Sequence, residues 1–459
     1  MMSRQFQKPD YETVLNKTIQ VREVLPEDHL ARFVVDVVGQ LDLEPIYRHY
    51  GSVGGKALAP EVLLGVLLYA YAKGVFSSRK IERATYENIA FGYVAGGLHP
   101  DHDTIANFRK TFLRAIQELF VQVLLLAKEK GVLKVGNISL DGSKIHADAS
   151  KSKAVSYKRL LALEERLRAE VAELLALGES ADQGEVDLPE GMVIQDEIAR
   201  RALRLENLAK AKAVLQARAE ERHAAEQAEY EAKAREREEK AKRKGRRPGG
   251  KPPTPPTPGP RDKDQYNFTD PDSRIMKNST DDGFNQHYNV QVGVDQDSLL
   301  ILGHSLSNPP NDKAEAEPTL ASIPEPLGHV EAAAMDNGFF SPANRQACEV
   351  RGIEPYIATG RQSHDQSWQA FFAQESEPPD SDASSTVKMA YKLQTAVGRE
   401  IYRLRKCTVE PVIGIIKEVL GFRQFSLRGL FAAAGEWALV CLAYNLKRLH
   451  ILEPKAAHA

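Results

Sequence analysis

Residues 155–245 constrain this chain more than any other stretch, because they are rich in Ala, Glu, Lys, Arg and Leu and poor in everything a buried sheet needs. YKRLLALEERLRAEVAELLAL and ARRALRLENLAKAKAVLQARAEERHAAEQAEYEAKAREREEKAK read as two long helices, broken around GESADQGEVDLPEG. Beyond Leu215 the apolar positions shrink mostly to Ala, so the second helix is expected to leave the core and stand in solvent. A basic, proline-rich linker at 246–265 follows and has the composition of a disordered segment. Strand-like sequence stands on both sides of this arm. Any sheet must therefore be assembled from pieces that the arm separates.

Residues 1–130 read as a helical N-terminal domain. In EVLPEDHLARFVVDVVGQLDL apolar residues recur every three or four positions behind a Pro26 or Asp28 start signal, and Pro60 is placed to open PEVLLGVLLYAYAKGV. Residues 131–154 change period, and VGNISLDGSKIHADA alternates like a strand. Strands resume across 266–361, in FNQHYNVQVGVDQDS, LLILGHSLSN and HVEAAAMDNGF, then a helix at SPANRQACEVRG and a strand at IEPYIATG. Residues 362–388 are polar and read as a loop, and 389–459 as C-terminal helices. With the arm removed, the order is three strands, helix, strand, helix, strand, helix. That is the order of an RNase H-like α/β core, with a helical N-terminal domain and a long, coiled-coil-like helical insertion after the first core strand.

Composition rules out several classes. The formal net charge is −2 with 27% charged residues, so the total says nothing about nucleic acid and the local distribution must decide. Cys348, Cys407 and Cys441 lie far apart, which excludes a zinc ribbon and argues for a reducing compartment. MMSRQFQKPDYETVL has no apolar signal-peptide core, and the longest apolar runs, VLLGVLLYAYA and WALVCLAY, are too short to span a bilayer. A cytoplasmic protein is expected.

Three acids occupy telling places. Asp141 falls within an alternating strand, where a charge needs a reason. Asp336 ends a strand at the turn into a helix, the end at which open α/β sheets place ligands. Glu410 lies on the amphipathic segment TVEPVIGIIKEVL. Phosphodiester chemistry uses hard cations held by carboxylates, and three acids from separate elements would supply them. Each acid also has a plainer reading: Asp141-Gly142 as a turn, Asp336 as a helix cap, and Glu410 beside Pro411 as a first helical turn.

The motifs DGSKIHADAS, TDPDSRIMK, YNVQVGVD, DNGFFSPANRQACEVRGIEPYIA and YRLRKCTVEPVIGIIKEVLGFRQFSLRGL together resemble the DDE transposases of bacterial insertion sequences. The resemblance is to the branch with a Tyr-Arg-Glu-Lys signature around its last acid. LPEDHLARFVVDVV, YAYAKGVFSSRKIERATYENIAF and PDHDTIANFRK are similar to that branch's helical N-terminal domain. The resemblance implies that Asp141, Asp336 and Glu410 are catalytic and hold Mg2+, for which Mn2+ can substitute. It implies supporting roles for Tyr402, Arg405 and Lys417. Strict spacing would select Arg403 and Lys406 instead of Tyr402 and Arg405; the mutual spacing of the latter pair favours them. Asn337 and Phe339 stand where the family pattern expects Lys and Tyr.

The implied function is binding of an element's terminal inverted repeats, metal-dependent strand cleavage, and strand transfer into target DNA. The implied partner is double-stranded DNA, engaged by a homodimer or larger assembly on paired ends in the nucleoid. Candidate DNA contacts are Arg79, Lys80, Arg83, Arg109, Lys110, Arg423 and Arg428, with the basic run from Lys240 to Lys251. His102 in PDHDT reads as a turn or capping residue. A catalytically inactive DNA-binding descendant and a nuclease without strand transfer are the alternatives.

Overall fold

The computed structural model describes residues 20–51, 57–183, 186, 188–189, 191–245, 249, 251–278, 283–360, 378–380 and 383–453. Arg246, Arg247 and most of the 362–388 segment lie outside them; within that segment, helix begins at Ser385 rather than beyond residue 388.

Alternation in ISLDGSKI produces the central strand, β1 (Asn137–His146), with Ile138 and Leu140 fully buried. β2 (Ala154–Ser156) pairs antiparallel with β3 (Gln265–Asn267), Val155 opposite Tyr266. This short ribbon pinches the base of the arm, so the chain leaves and re-enters the core at nearly one point. β4 (Arg274–Lys277), β5 (Phe284–Asp295), β6 (Ile301–Ser307), β7 (Ala332–Met335) and β8 (Glu354–Ile357) complete the set. The sheet order is β4-β5-β1-β7-β8, with β6 also paired to β5. The β4, β5, β6 and β1 pairings are antiparallel, while β1–β7 and β7–β8 are parallel. The result is a mixed α/β sheet beside a helical N-terminal region.

The arm is a helical hairpin, Tyr157–Asp182 and Ile194–Lys244. Val155, Leu160, Leu167, Leu208, Ala211 and Leu215 form a small core of their own. Lys212–Glu164 alongside this core and Arg201–Glu170 farther out, both 2.9 Å, tie the two helices together. Past Ala219, the last buried apolar residue of the second helix, ion pairs within one helix replace burial. The shrinkage of side chains after Leu215 marks this transition.

In the N-terminal region Pro60 opens the Pro60–Ala72 helix, while the Leu30–Val38 helix is capped by His29 rather than by Asp28. These helices do not keep a core to themselves. The buried C-terminal helix Leu430–Leu452 packs on Pro60–Ala72, on Leu113–Glu129 and on β6, merging helices and sheet into one hydrophobic interior. Gly435 permits that contact: a Cβ there would lie 2.7 Å from Leu113 Cβ.

A buried carboxylate fastens the same junction. Glu436 has 0% exposure and accepts from Tyr71 Oη at 3.1 Å and from the backbone N–H groups of Ser426 and Leu427 at 2.8 and 2.9 Å. Arg109 lies 3.8 Å from it and donates to Tyr71 Oη and the Phe76 carbonyl. The expectation that Arg109 contacts DNA is corrected here: a guanidinium enclosed by these partners cannot reach a phosphate. Removing one member of a buried ion pair leaves the other uncompensated, so Arg109→Leu is expected to cost about 3–5 kcal/mol. Denaturant unfolding of the full chain measures this, and an unchanged midpoint would refute the assignment.

Candidate active site

The register of the parallel strands brings the first two acids together. Leu140 of β1 stands opposite Met335 of β7, and one residue further on each strand come Asp141 and Asp336. β7 ends there, and Asp336 turns the chain, its Oδ1 accepting from Gly338 N at 2.8 Å. The helix-cap reading and the strand-end reading of Asp336 are therefore both satisfied by one side chain.

The third acid arrives on the helix Ala396–Gly414, which packs against β1, β5 and β7. Glu410 does not lie in a first turn, the plainer reading that Pro411 suggested. It is near the end of a 19-residue helix with Pro411 inside it. Proline removes one backbone donor, and the following residues, Ile415–Val419, adopt a π-helical turn.

This helix and the turn after it meet β1 along one strand face, which presents Ser139, Asp141 and Ser143 at alternate positions. Thr408 Oγ1 lies 2.7 Å from Ser139 Oγ, Arg405 meets Asp141, and Lys417 Nζ donates to Ser143 Oγ at 3.1 Å. Arg405 stands between two of the acids: Nη1 lies 3.1 Å from Asp141 Oδ2 and Nη2 3.1 Å from Glu410 Oε1. The Arg405 side chain is 8% exposed, against 20% for Asp141 and 49% for Glu410. Tyr402 lies beside it, ring centroid 5.9 Å from the guanidinium carbon, whereas Arg403 and Lys406 are exposed. The geometry thus puts Tyr402 and Arg405, not the strictly spaced pair, on the acid side. Among the described residues no three His, Cys, Asp or Glu side chains converge as a ready ion site; a guanidinium fills the space between Asp141 and Glu410.

Asp141 is electrostatically perturbed. Burial, then the charge of Asp336, pushes its carboxyl up to about 6, partly offset by Arg405 and by the Gly142 N–H. Burial also draws the Lys417 ammonium below its ordinary range.

The basic candidates divide by environment. Arg79, Lys80 and Arg83 are exposed on the helix Ser78–Glu87, whose Ile81 and Thr85 face inward. Tyr86 on that helix is 65% exposed and stacks on His99 at 3.9 Å. Lys110 is exposed; Arg423 pairs with Glu418 and Arg428 with Asp148. His102 is the first residue of its helix, behind the capping Asp101, and binds Glu82.

Sequence reading missed Ser139, Thr408 and Asp312. The last lies in the turn after β6, held by carboxamides of Asn289 and Gln291. The motif YNVQVGVD offered the signal, because two amides at alternate positions of an apolar strand need partners.

The perturbation of Asp141 has a directional test. Asp336→Asn removes a raising charge and is expected to lower the Asp141 pKa; Arg405→Met removes a lowering one and is expected to raise it. Carboxyl-selective 13C NMR across pH 4–8 reads both. An Asp141 titrating at the ordinary carboxylate value in the unaltered protein would contradict this description.

Comparison with known families agrees with the geometry. A model described as Transposase domain (DUF772) matches residues 19–111, and one described as Transposase DDE domain matches 256–446. The second span contains Asp336 and Glu410, while Asp141 precedes it. Searches of curated proteins and of solved structures returned no match. Two transposase domains in chain order, around strand-end and helix-borne acids, place the chain: it belongs to the DDE transposases of insertion sequences.

Proposed function

We propose that this transposase binds the terminal inverted repeats of its element, cleaves the phosphodiester at each end, and joins the freed 3′ end to target DNA. The observation that carries the reading is the placement of Asp141 within β1 and Asp336 just past the end of the adjacent strand β7, with Glu410 tied to Asp141 through Arg405. The strand order, antiparallel on one side of β1 and parallel on the other, supports an RNase H-like core.

The donor set fits a hard divalent cation: three carboxylates from three elements, one of them unsettled by burial and a neighbouring charge. Asp141, Asp336 and Glu410 would hold Mg2+, or Mn2+ in its place. Such ions supply the Lewis acidity that activates an attacking oxygen and stabilises a leaving one. In this reading Arg405 keeps the acids neutralised at rest. Once its carboxylates are engaged elsewhere, its guanidinium is free to take a phosphate, for which its fork geometry suits it. Lys417, which donates to Ser143 two residues along β1 from Asp141, would contact a DNA backbone beside the acids.

DNA is held from two sides in this proposal. The Ser78–Glu87 helix offers Arg79, Lys80 and Arg83, with Lys110 nearby in the N-terminal region, and the turn after the π-helix offers Arg423 and Arg428. Action as a homodimer or larger assembly on paired ends accords with the projecting arm. No described helix is long and apolar enough to cross a membrane.

Excision from a donor plasmid carrying the element's own flanking repeats tests the catalytic part. Asp141→Asn, Asp336→Asn and Glu410→Gln are each expected to lower excision by at least about a hundredfold, the scale on which losing a main electrostatic group is felt. Retained activity in any one removes that residue from the site. Repeat binding without excision by the unaltered protein would favour an inactive DNA-binding descendant, and cleavage without joined products a nuclease.

The N-terminal part has its own measurement. The slope of log affinity against log salt should fall by about 0.9 for every phosphate that a removed cation had neutralised. Replacing Arg79, Lys80 and Arg83 together with Ala is expected to flatten the slope accordingly; an unaltered slope would move the DNA path off this helix.

A further inference from the structure

Asp312 has no role in the mechanism above, yet the fold invests heavily in holding it. Its Oδ1 accepts from Asn289 Nδ2 at 2.9 Å and from Gln291 Nε2 at 2.7 Å, both from buried residues of β5. Its turn is fastened to the segment that follows Asp336. Asn344, fully buried, donates to the Asp312 carbonyl at 2.8 Å and to the Phe339 carbonyl at 2.9 Å, and Ser341 Oγ donates to the Lys313 carbonyl.

The other carboxylate oxygen lies near Gly338, whose N–H donates to Asp336. A Cβ built on Gly338 would lie 3.0 Å from Asp336 Oδ1 and 3.3 Å from Asp312 Oδ2. Both carboxylates thus lie against the Cα of Gly338, and their two oxygens are no more than the sum of these distances apart. On the neighbouring strand the Gln291 carboxamide lies over Gly142, 2.4 Å from where a Cβ would be, and its Oε1 is buried with no partner among the described residues. Glycine near each strand-borne acid is what lets this polar layer close in.

A fixed negative charge beside Asp336 raises the local negative potential, which disfavours a bare pair of acids and favours a divalent cation between them. We infer that Asp312 is a positioning residue for the catalytic centre: it orients the Asp336 turn and strengthens that acid's hold on a divalent cation without being one of the three acids. This rests on the catalytic reading of Asp336 given above.

Asp312→Asn is the informative change. Its amide oxygen can still accept from Asn289 and Gln291, so the brace survives and the charge is lost. The probe is Mn2+ alone, titrated into the full-length protein without DNA and followed by electron paramagnetic resonance of the free ion. Removing one nearby charge is expected to weaken binding about tenfold at the effective dielectric of a partly buried site, with the thermal midpoint unchanged. Gly338→Ala, which wedges a methyl group between two carboxylates that both keep their charge, is expected to weaken it as well and serves if Asp312→Asn does not fold. Asp336→Asn is the reference for loss of a ligand. Unaltered Mn2+ affinity in Asp312→Asn, or in Gly338→Ala where that variant stands in, with loss in Asp336→Asn, would overturn the inference alone and leave Asp312 a structural brace. Absence of Mn2+ binding in the unaltered protein, or none lost in Asp336→Asn, would overturn the catalytic reading and this inference with it.

Discussion

One buried carboxylate, Glu436, ties the N-terminal helices to the turn that holds the far end of β1. Taking a charge fully out of water costs several kcal/mol unless donors replace the lost hydration, and the donors here come from three separated stretches of sequence. Tyr71 brings the Pro60–Ala72 helix, Arg109 brings the His102–Thr111 helix, and the N–H groups of Ser426 and Leu427 bring the turn that follows the π-helix. Burial and the Glu436 charge together keep the Tyr71 phenol firmly protonated, so it remains a donor. The turn so fixed reaches back to the site: Phe425 N donates to the His146 carbonyl at 2.8 Å and His146 N to the Arg423 carbonyl at 3.0 Å. The far end of β1, five residues beyond Asp141, is thereby held by a network rooted in the N-terminal helices.

The site itself is left in tension. Arg405 gives Asp141 and Glu410 a shared counter-charge, yet the Asp141 carboxyl still sits well above the ordinary carboxylate range, at about 6. One guanidinium does not offset burial plus the charge of Asp336. A protein built only for stability would relieve this with an amide or an apolar side chain at position 141. At Glu436 a phenol, two backbone N–H groups and a nearby guanidinium surround the carboxylate. Asp141 is the acid on which burial and a neighbouring like charge act together.

What the sequence made legible follows from how local each signal is. The arm was readable because composition alone separates a solvated Ala/Glu/Lys/Arg helix from a core strand. Asp141 was readable because alternation is a two-residue pattern, and Pro60 because helix starts are local. The setting of Glu410 was not readable: proline argues for a first turn, whereas the helix packed on β1, with a π-turn behind it, holds Pro411 in its interior. Arg109 read as a surface cation because its partner stands on a helix at the opposite end of the chain. That the N-terminal helices share a core with the rest of the chain was unreadable for the same reason, since the complement of Pro60–Ala72 and Leu113–Glu129 is Leu430–Leu452. Pairings of that range leave no periodicity to read.

The insertion shows how such a chain tolerates a long helical arm next to a site that demands close placement. β2 and β3 close its base, and two polar staples carry the closure inward. Arg218, on the second arm helix, donates to the Pro271 carbonyl and lies 3.8 Å from Asp272, whose Oδ2 accepts from Leu430 N at 3.0 Å. Asp270, fully buried, accepts from Tyr288 Oη of β5 at 2.9 Å and from Gly429 N at 3.2 Å. Gly429 and Leu430 open the helix that carries Glu436. The TDPD turn is thus wedged between the arm, the sheet and the start of the last helix, held to each by its two acids. Arm and active site cannot be set independently in this fold, because the carboxylates that seat one also cap the helix that seats the other.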